Sequence, residues 1–393
     1  MTGRHPPLRR PGGPFALAAL GLALAVVNSP LAWVYDVIHH TPIGVRISVF
    51  VIDKPVIQWI NEGLMVFFFL LVTLEIKREV LEGHLARPAM AAFPAAAAVG
   101  GMALPVAIYA AVTWPDPAAL RGWAIPTATD IVLALAVLSL LRERVTAEQR
   151  VFLTALAVLD DIGGIAIIAA FYTEAVSGPL LALAGMGAAV LFALGFFQVQ
   201  RLAVYGVAGA LLWLALLDSG VNATITGVLV GAAVPIRIRD GRGSPLRDLE
   251  TRLYPWVVLM VVPLFVFFNA GLRLTDVRSD VLMTPVGLGL VLALVVGKPV
   301  GIVGAAWAAA RLGLAQRPPS LSWPQVVGVG MLGGIGFTVS LFLASLAFTG
   351  TELAGGAKLA ILVGSTLSAM LGLVVLGLGS RHAHEPVISS SRG

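Results

Sequence analysis

Two adjacent aspartates, Asp160 and Asp161, lie inside the apolar run VFLTALAVLDDIGGIAIIAAFY. A carboxylate at the centre of a membrane helix costs about 2.5–3.5 kcal/mol to insert. A neighbouring pair therefore calls for a compensating role: holding a cation or carrying protons. The alternative, a short loop between two helices, is opposed by the apolar sequence continuing on both sides. Asp130, in GWAIPTATDIVLALAVLSLL, and Lys298, in VVGKPVGIVG, are also ionisable and set well within apolar runs, while Glu62 and Glu75 stand nearer the ends of another. If Asp130, Asp160, Asp161 and Lys298 were all charged and unpaired, the insertion penalty would be on the order of 10 kcal/mol, comparable with the whole stability of a domain. They are expected to meet in a wetted, protein-lined cavity or to neutralise one another. Three carboxylates and one amine suit a hard cation such as sodium, and they suit protons equally.

The sequence around these groups predicts interrupted helices. Pro126, four residues before Asp130, removes a backbone donor and crowds the preceding turn, and Thr127 and Thr129 offer hydroxyls to the freed backbone groups. Gly328, Gly330, Gly333, Gly334 and Gly336 fall within nine residues of VVGVGMLGGIGFTVSLFLASLAF. Each glycine in a helix interior costs about 1 kcal/mol relative to alanine, so five with an adjacent pair predict a second unwound segment. Interrupted helices face one another with partial charges of about half a unit at their ends. Asp130 is the candidate to compensate the positive ends and Lys298 the negative ones.

Composition says what surrounds these elements. The chain has 393 residues, of which 58% are hydrophobic and only 12% charged, half the charged share of an ordinary soluble domain at about 25%. About twelve apolar runs near the 20 residues needed to cross a bilayer recur from end to end, over roughly 14–34, 56–76, 89–113, 122–141, 149–172, 178–197, 201–217, 220–235, 254–272, 283–310, 324–348 and 355–379. They lack the two-residue alternation of barrel strands, so the expected fold is an all-α polytopic membrane protein. The whole chain, 1–393, reads as one transmembrane domain with tails at 1–13 and 380–393. Cysteine is absent, which removes disulfides and thiolate metal sites. Walker, H-E-x-x-H and G-x-S-x-G motifs are missing too, so neither an enzyme nor an ATP-driven pump is expected, and no cofactor. Arg4, Arg9 and Arg10 before the first apolar run imitate a signal peptide, but the run continues through Trp33 and reads as an uncleaved span. The HAHE tail at 382–385 reads as a polar terminus rather than a metal site.

Charge placement orients the chain. With twelve spans, 19 of the 26 Lys and Arg residues fall on the side of the termini and 6 on the other, leaving Lys298 within a span. The excess puts both termini in the cytoplasm and explains the formal charge of +5 without nucleic acid. Residues 43–54, IGVRISVFVIDK, alternate and are β-branched, as in a short outer-face hairpin. Residues 236–252, IRIRDGRGSPLRDLETR, read as the longest cytoplasmic loop, basic and rich in turn residues.

The motifs GWAIPTATDI, ALAVLDDIGGIAIIAAFY, TLEIKREVLEGHL, SGVNATITGVLVG, PLFVFFNAG, GKPVGI and GGIGFTVSLFLASLAF together resemble NhaA-type sodium/proton antiporters, in the expected order from about residue 14 to 379. The resemblance implies twelve helices with inverted repeats, the fourth and eleventh broken and crossing. It implies that Asp161 is the principal sodium ligand and proton carrier, joined by Asp160, which pairs with Lys298 in one state. Asp130 and Thr129 would support the site. Glu75, Arg78, Glu79 and Glu250 match cytoplasmic residues tied in that family to pH activation. The partners implied are sodium, lithium, protons and membrane lipid, with a homodimer formed through the 43–54 hairpin in a bacterial inner membrane. This chain departs from the pattern at Asn222, Thr251 and Tyr254, where histidine is frequent. Imidazole titrates near neutral pH and asparagine and threonine do not, so the pH profile is not carried over.

Sodium and protons competing for the same carboxylates would give exchange. Loss of more than one proton per sodium would make it electrogenic, with the membrane potential driving sodium out. Two other classes share part of this pattern. An intramembrane aspartyl protease also needs two aspartates, but the Tyr-Asp and Gly-x-Gly-Asp patterns of such enzymes are missing. A sodium-coupled solute symporter would need a further polar pocket, for which no spare polar set exists.

Overall fold

The computed structural model describes residues 12–379 apart from 48–49, 173–176, 218, 238–242, 274 and 276–279. The HAHE tail and most of both terminal tails lie outside the described residues. Helices account for nearly all of the rest: α1 (Gly12–Val27), α2 (Ala32–His40), α3 (Val56–Glu82), α4 (Pro88–Thr113), α5 (Pro117–Thr127), α6 (Ile131–Ser139), α7 (Ala147–Phe171), α8 (Gly178–Phe196), α9 (Leu202–Leu217), α10 (Ile225–Ala233), α11 (Pro245–Asn269), α12 (Pro285–Arg311), α13 (Trp323–Gly333), α14 (Phe337–Ala347) and α15 (Leu353–Gly379). Seven of these are long and apolar enough to cross a bilayer, and up to ten crossings result if each of three bent pairs is one span.

The bent pairs have local causes. The first apolar run, expected to be continuous over 14–34, turns by 106° between α1 and α2. Asn28, Ser29 and Pro30 fill the corner: the Asn28 side chain donates to its own helix at Leu24 O and across to Leu272 O, and Pro30 has no N–H with which to continue the ladder. The pairs α5/α6 and α13/α14 bend by 50° and 41°. Before the first of these breaks the chain tightens to a 3-10 turn over Arg121–Thr127, with Pro126 inside it, and Ala128 is extended.

A two-stranded antiparallel hairpin, β1 (Pro42–Ile47) and β2 (Phe50–Pro55), pairs Pro42 with Pro55 and Ile47 with Phe50. Its turn, 48–49, is outside the described residues. The 236–252 segment differs from the loop expected of it, because helix α11 begins at Pro245. Ser244 accepts from Arg247 N as an N-cap and Pro245 takes the first helical position, where its missing donor costs nothing. The composition looked turn-rich because a helix start uses the same residues as a turn.

Two apolar clusters hold the helices together. The larger surrounds the breaks and includes Leu156, Ile302, Leu332, Ile335 and Phe342. The smaller lies among α3, α8, α9 and α10 and includes Leu74, Leu191, Leu212 and Val234. Glycines set the closest approaches. A Cβ on Gly100 of α4 would lie 2.2 Å from Gly301 O of α12, and one on Gly227 of α10 would lie 2.1 Å from Val66 O of α3. The first contact presses the helix that carries Lys298 against its neighbour.

Candidate functional site

The two breaks touch. Asp130 N donates to Ile335 O at 2.6 Å, and Ser340 Oγ donates to Ile125 O at 2.8 Å. Four helix ends therefore converge, two carrying free N–H groups and two carrying free carbonyls. Asp130 meets both positive ends. Its Oδ1 accepts from Leu133 N in the first turn of α6, and its Oδ2 accepts from Thr338 N at 3.0 Å and Thr338 Oγ1 at 2.6 Å in the first turn of α14. One buried carboxylate thus caps two half-helices whose macrodipoles point their positive ends at it.

The negative ends have their own partners. Lys298 Nζ donates to Thr127 O, at the end of α5, and Thr129 Oγ1 lies 2.8 Å from Gly333 O, at the end of α13. A widened π turn over Ala293–Gly297 leads directly into Lys298, and Pro299 follows it.

Both of these groups also hold Asp160, which the straight helix α7 carries into the crossing. Lys298 Nζ is 2.8 Å from Asp160 Oδ2, and Thr129 Oγ1 is 2.6 Å from the same oxygen. Thr129 has a single hydroxyl proton, so it serves either Asp160 or the Gly333 carbonyl at one time. The other oxygen, Asp160 Oδ1, is buried with no hydrogen-bond partner. Asp161 is different again. It is 8% exposed against 0% for Asp160, and among the described residues no hydrogen bond or ion pair is made to it. Charges at Asp160, Glu75 and Asp130 act on it through space. Among the described residues no three His, Cys, Asp or Glu side chains converge to hold a metal ion. The three aspartates therefore do not form one cage, because Asp130 is taken by the helix ends.

Arg78 and Glu79, near the C-terminal end of α3, cluster with Glu250 of α11. Arg78 Nε bonds both oxygens of Glu250, at 3.2 and 3.0 Å, and a second Arg78 nitrogen lies 3.9 Å from Glu79. Glu79 also accepts from His84 N and lies 3.0 Å from His84 Nδ1. Glu75, on the same helix, acts on Asp161 through space. Asn222 accepts from Thr224 in its own turn.

Sequence reading missed Thr338, Ser340 and the Thr127 carbonyl. Thr338 was findable: it stands two residues after the last glycine of the unwound segment, where a first-turn hydroxyl and N–H must find an acceptor. It missed too that Glu82 bonds both Arg237 and Arg247, and that Asn269 donates to Asn61.

The profile of the family described as Na+/H+ antiporter 1 matches residues 8–376. The chain is 46% identical to the Na(+)/H(+) antiporter NhaA of Pseudomonas fluorescens strain Pf-5 over 371 residues, covering 94% of each chain. It is 45% identical to the protein of the same name from Rhodospirillum rubrum over 383 residues, covering 94% of this chain and 95% of that one. It is 46% identical to that of Shewanella amazonensis over 363 residues, covering 92% and 93%.

Proposed function

The chain belongs to the Na+/H+ antiporter 1 family, and on that premise we propose that it is a multi-pass secondary transporter exchanging cytoplasmic sodium, and lithium, for external protons. The observation that carries this reading is the unequal binding of two neighbouring carboxylates. Asp160 is held by Lys298 and Thr129, while Asp161 has no hydrogen-bond or ion-pair partner among the described residues and is the more accessible. An arriving cation would take Asp161 first. Asp160 then joins it by exchanging the Lys298 ammonium for the cation, with its unpartnered Oδ1 already available. Two carboxylates supply hard oxygen ligands of the kind sodium prefers, and the Thr129 hydroxyl is within reach of the same oxygen.

Protons compete for these groups. Sodium binding displaces a proton from Asp161 and frees Lys298 to release another, so more than one proton moves per sodium and net charge crosses the membrane. The potential then drives sodium outward. The helix ends capped by Asp130 and Lys298 are the bistable element: any change in the Lys298–Asp160 pair also changes what holds the Thr127 carbonyl. Ion occupancy and helix geometry are coupled through one ammonium group.

The twelve-span, inverted-repeat architecture is the companion proposal. It is supported by the two crossing breaks and by the shorter helices α9 and α10, which bring the ten crossings to twelve. Both termini are then cytoplasmic in a bacterial inner membrane, Glu75, Arg78, Glu79 and Glu250 set the pH response, and β1–β2 joins two copies. The deciding experiment is sodium-driven proton movement and current in liposomes holding the purified protein. Wild type should generate both, and Asp161→Asn neither; normal transport by the variant would remove the site assignment, and proton movement without current would remove electrogenicity.

A further inference from the structure

Lys298 is followed by a proline, and the pair leaves one carbonyl without its helical donor. Over Ala293–Gly297 the backbone of α12 widens to a π turn, and Lys298 N donates to Ala293 O, five residues back. The next donor in that ladder is residue 299, whose N–H would serve Leu294 O. Pro299 has no N–H. Leu294 has no exposed surface, so water does not take the donor's place, and a buried carbonyl left unpaired costs as much as a lost hydrogen bond.

A serine of α15 supplies the donor. Ser368 Oγ lies 3.3 Å from Leu294 O, and Ser368 is 1% exposed. The unwound segment between α13 and α14 closes over this contact: a Cβ on Gly334 would run into Leu294 O and lie 2.5 Å from Ser368 Oγ. Three residues further along the π turn, a Cβ on Gly297 would be 3.1 Å from Pro105 Cα of α4. The turn is therefore packed at both its beginning and its end.

A second serine, one turn earlier, ties α15 to the crossing. Ser365 Oγ accepts from Phe337 N at 3.2 Å, in the first turn of α14 and next to the Thr338 N–H that Asp130 takes. Three residues apart, the two serines share a face of α15. One serves an orphan donor at the break and the other an orphan carbonyl beside it.

A π turn holds one residue more than an α turn. If it closed, the helix beyond it would rotate by one residue, about 100° at 3.6 residues per turn. Lys298 is the first residue beyond it. Its Nζ lies 2.8 Å from Asp160 Oδ2 and donates to Thr127 O, and both contacts depend on the turn staying open.

We propose that Ser368 is a positioning residue of the exchange site: by holding the Leu294 carbonyl it fixes the π turn that aims the Lys298 ammonium at Asp160. In the antiport reading above, on which this role rests, sodium displaces that ammonium from Asp160. Ser368 acts through the backbone of α12 and sets how strongly the ammonium competes.

The test is sodium-driven exchange by the purified full chain in liposomes, at one fixed pH and over a range of sodium concentrations, for wild type, Ser368→Ala, Pro299→Ala and Pro299→Ala/Ser368→Ala. Ser368→Ala should loosen the Lys298–Asp160 pair, so that sodium meets a weaker competitor. The sodium concentration at half-maximal rate should fall severalfold, up to about tenfold, the scale of one hydrogen bond, with a maximal rate no higher than wild type. A merely structural role would reduce the folded fraction, and with it the maximal rate, and leave that concentration unchanged. Pro299→Ala returns the missing N–H, so adding Ser368→Ala to it should shift the half-maximal concentration less than about twofold. Melting curves accompany each variant. Should Ser368→Ala unfold on its own, folding together with Pro299→Ala supports the role and unfolding in both backgrounds overturns it. An unchanged half-maximal concentration in folded Ser368→Ala, or an equal shift with and without Pro299, overturns it too. Wild type that exchanges nothing would remove the antiport reading itself, a different failure from normal exchange that Ser368 does not tune.

Discussion

Lys298 Nζ lies 2.8 Å from Asp160 Oδ2, and neither side chain has any exposed surface. The same ammonium donates to Thr127 O at the end of a half-helix. One cation therefore neutralises a carboxylate and satisfies an orphan carbonyl together. Breaking a buried pair by removing one partner costs about 3–5 kcal/mol, whereas replacing both can be neutral. Lys298→Met is expected to lower the melting temperature in detergent clearly, and Asp160→Asn to do so less, because the amide still accepts from Lys298 and Thr129. The double variant should recover part of the Lys298→Met loss. Strict additivity in that thermal cycle would mean the two groups do not interact.

Asp161 has no hydrogen-bond or ion-pair partner among the described residues, so Asp161→Asn should separate activity from stability. Sodium/proton exchange in everted vesicles is expected to fall to background while the melting temperature is unchanged or raised, a surface-like effect within about 0.5 kcal/mol. A variant that loses exchange only because it unfolds would contradict the geometry.

Asp130 caps two half-helices, and each cap is worth about 1 kcal/mol. Asp130→Ala is expected to destabilise more than Thr338→Val, which removes one donor and keeps the carboxylate. Asp130→Asn should fall between them, since one oxygen still accepts. Measured unfolding temperatures in the order wild type, Thr338→Val, Asp130→Asn, Asp130→Ala would agree; an Asp130→Ala protein as stable as wild type would not.

Gly100 of α4 faces the Gly301 carbonyl of α12 at a distance no side chain tolerates. Gly100→Val should displace the helix that carries Lys298. Size-exclusion profiles and melting curves should show a loss of several kcal/mol, at the upper end of overpacking effects of about 1–3 kcal/mol. Gly206→Ala, with open space around it, is the matched control and should be tolerated.

Arg78 bridges α3 to Glu250 of α11 with two hydrogen bonds, and Glu82 joins α3 to Arg247 of α11. These ion pairs lie at the helix ends, where partial exposure and salt weaken them. Glu250→Gln should leave the maximal exchange rate near wild type and shift the pH at which exchange begins. A profile that superimposes on wild type would remove the Arg78–Glu250 link from pH control.

Much of the chemistry was legible in one dimension. Adjacent aspartates in an apolar run, a proline four residues before a third, and five clustered glycines are local statements, and insertion cost and helix propensity act locally. So the ionisable groups within apolar runs, the two interruptions and the assignment of Asp130 to positive helix ends and Lys298 to negative ones could all be reasoned from residue types. Helix starts that use turn residues, as at Ser244–Pro245, and the sharp corner after Val27 were not separable from loop and span by composition.

What tertiary structure alone decided is which atom meets which. Thr129 and Asp160 are 31 residues apart, and Asp130 and Thr338 are 208 apart. Pairings at that separation depend on how whole helices cross, and no periodicity encodes a crossing. For the same reason it was packing, not residue type, that put Asp160 between a lysine and a threonine and left the Asp161 carboxylate, among the described residues, unbonded at the edge of accessible space. Burial removes water as the default partner, so each polar group must take whichever neighbour the fold supplies, and that neighbour is a property of the assembled bundle.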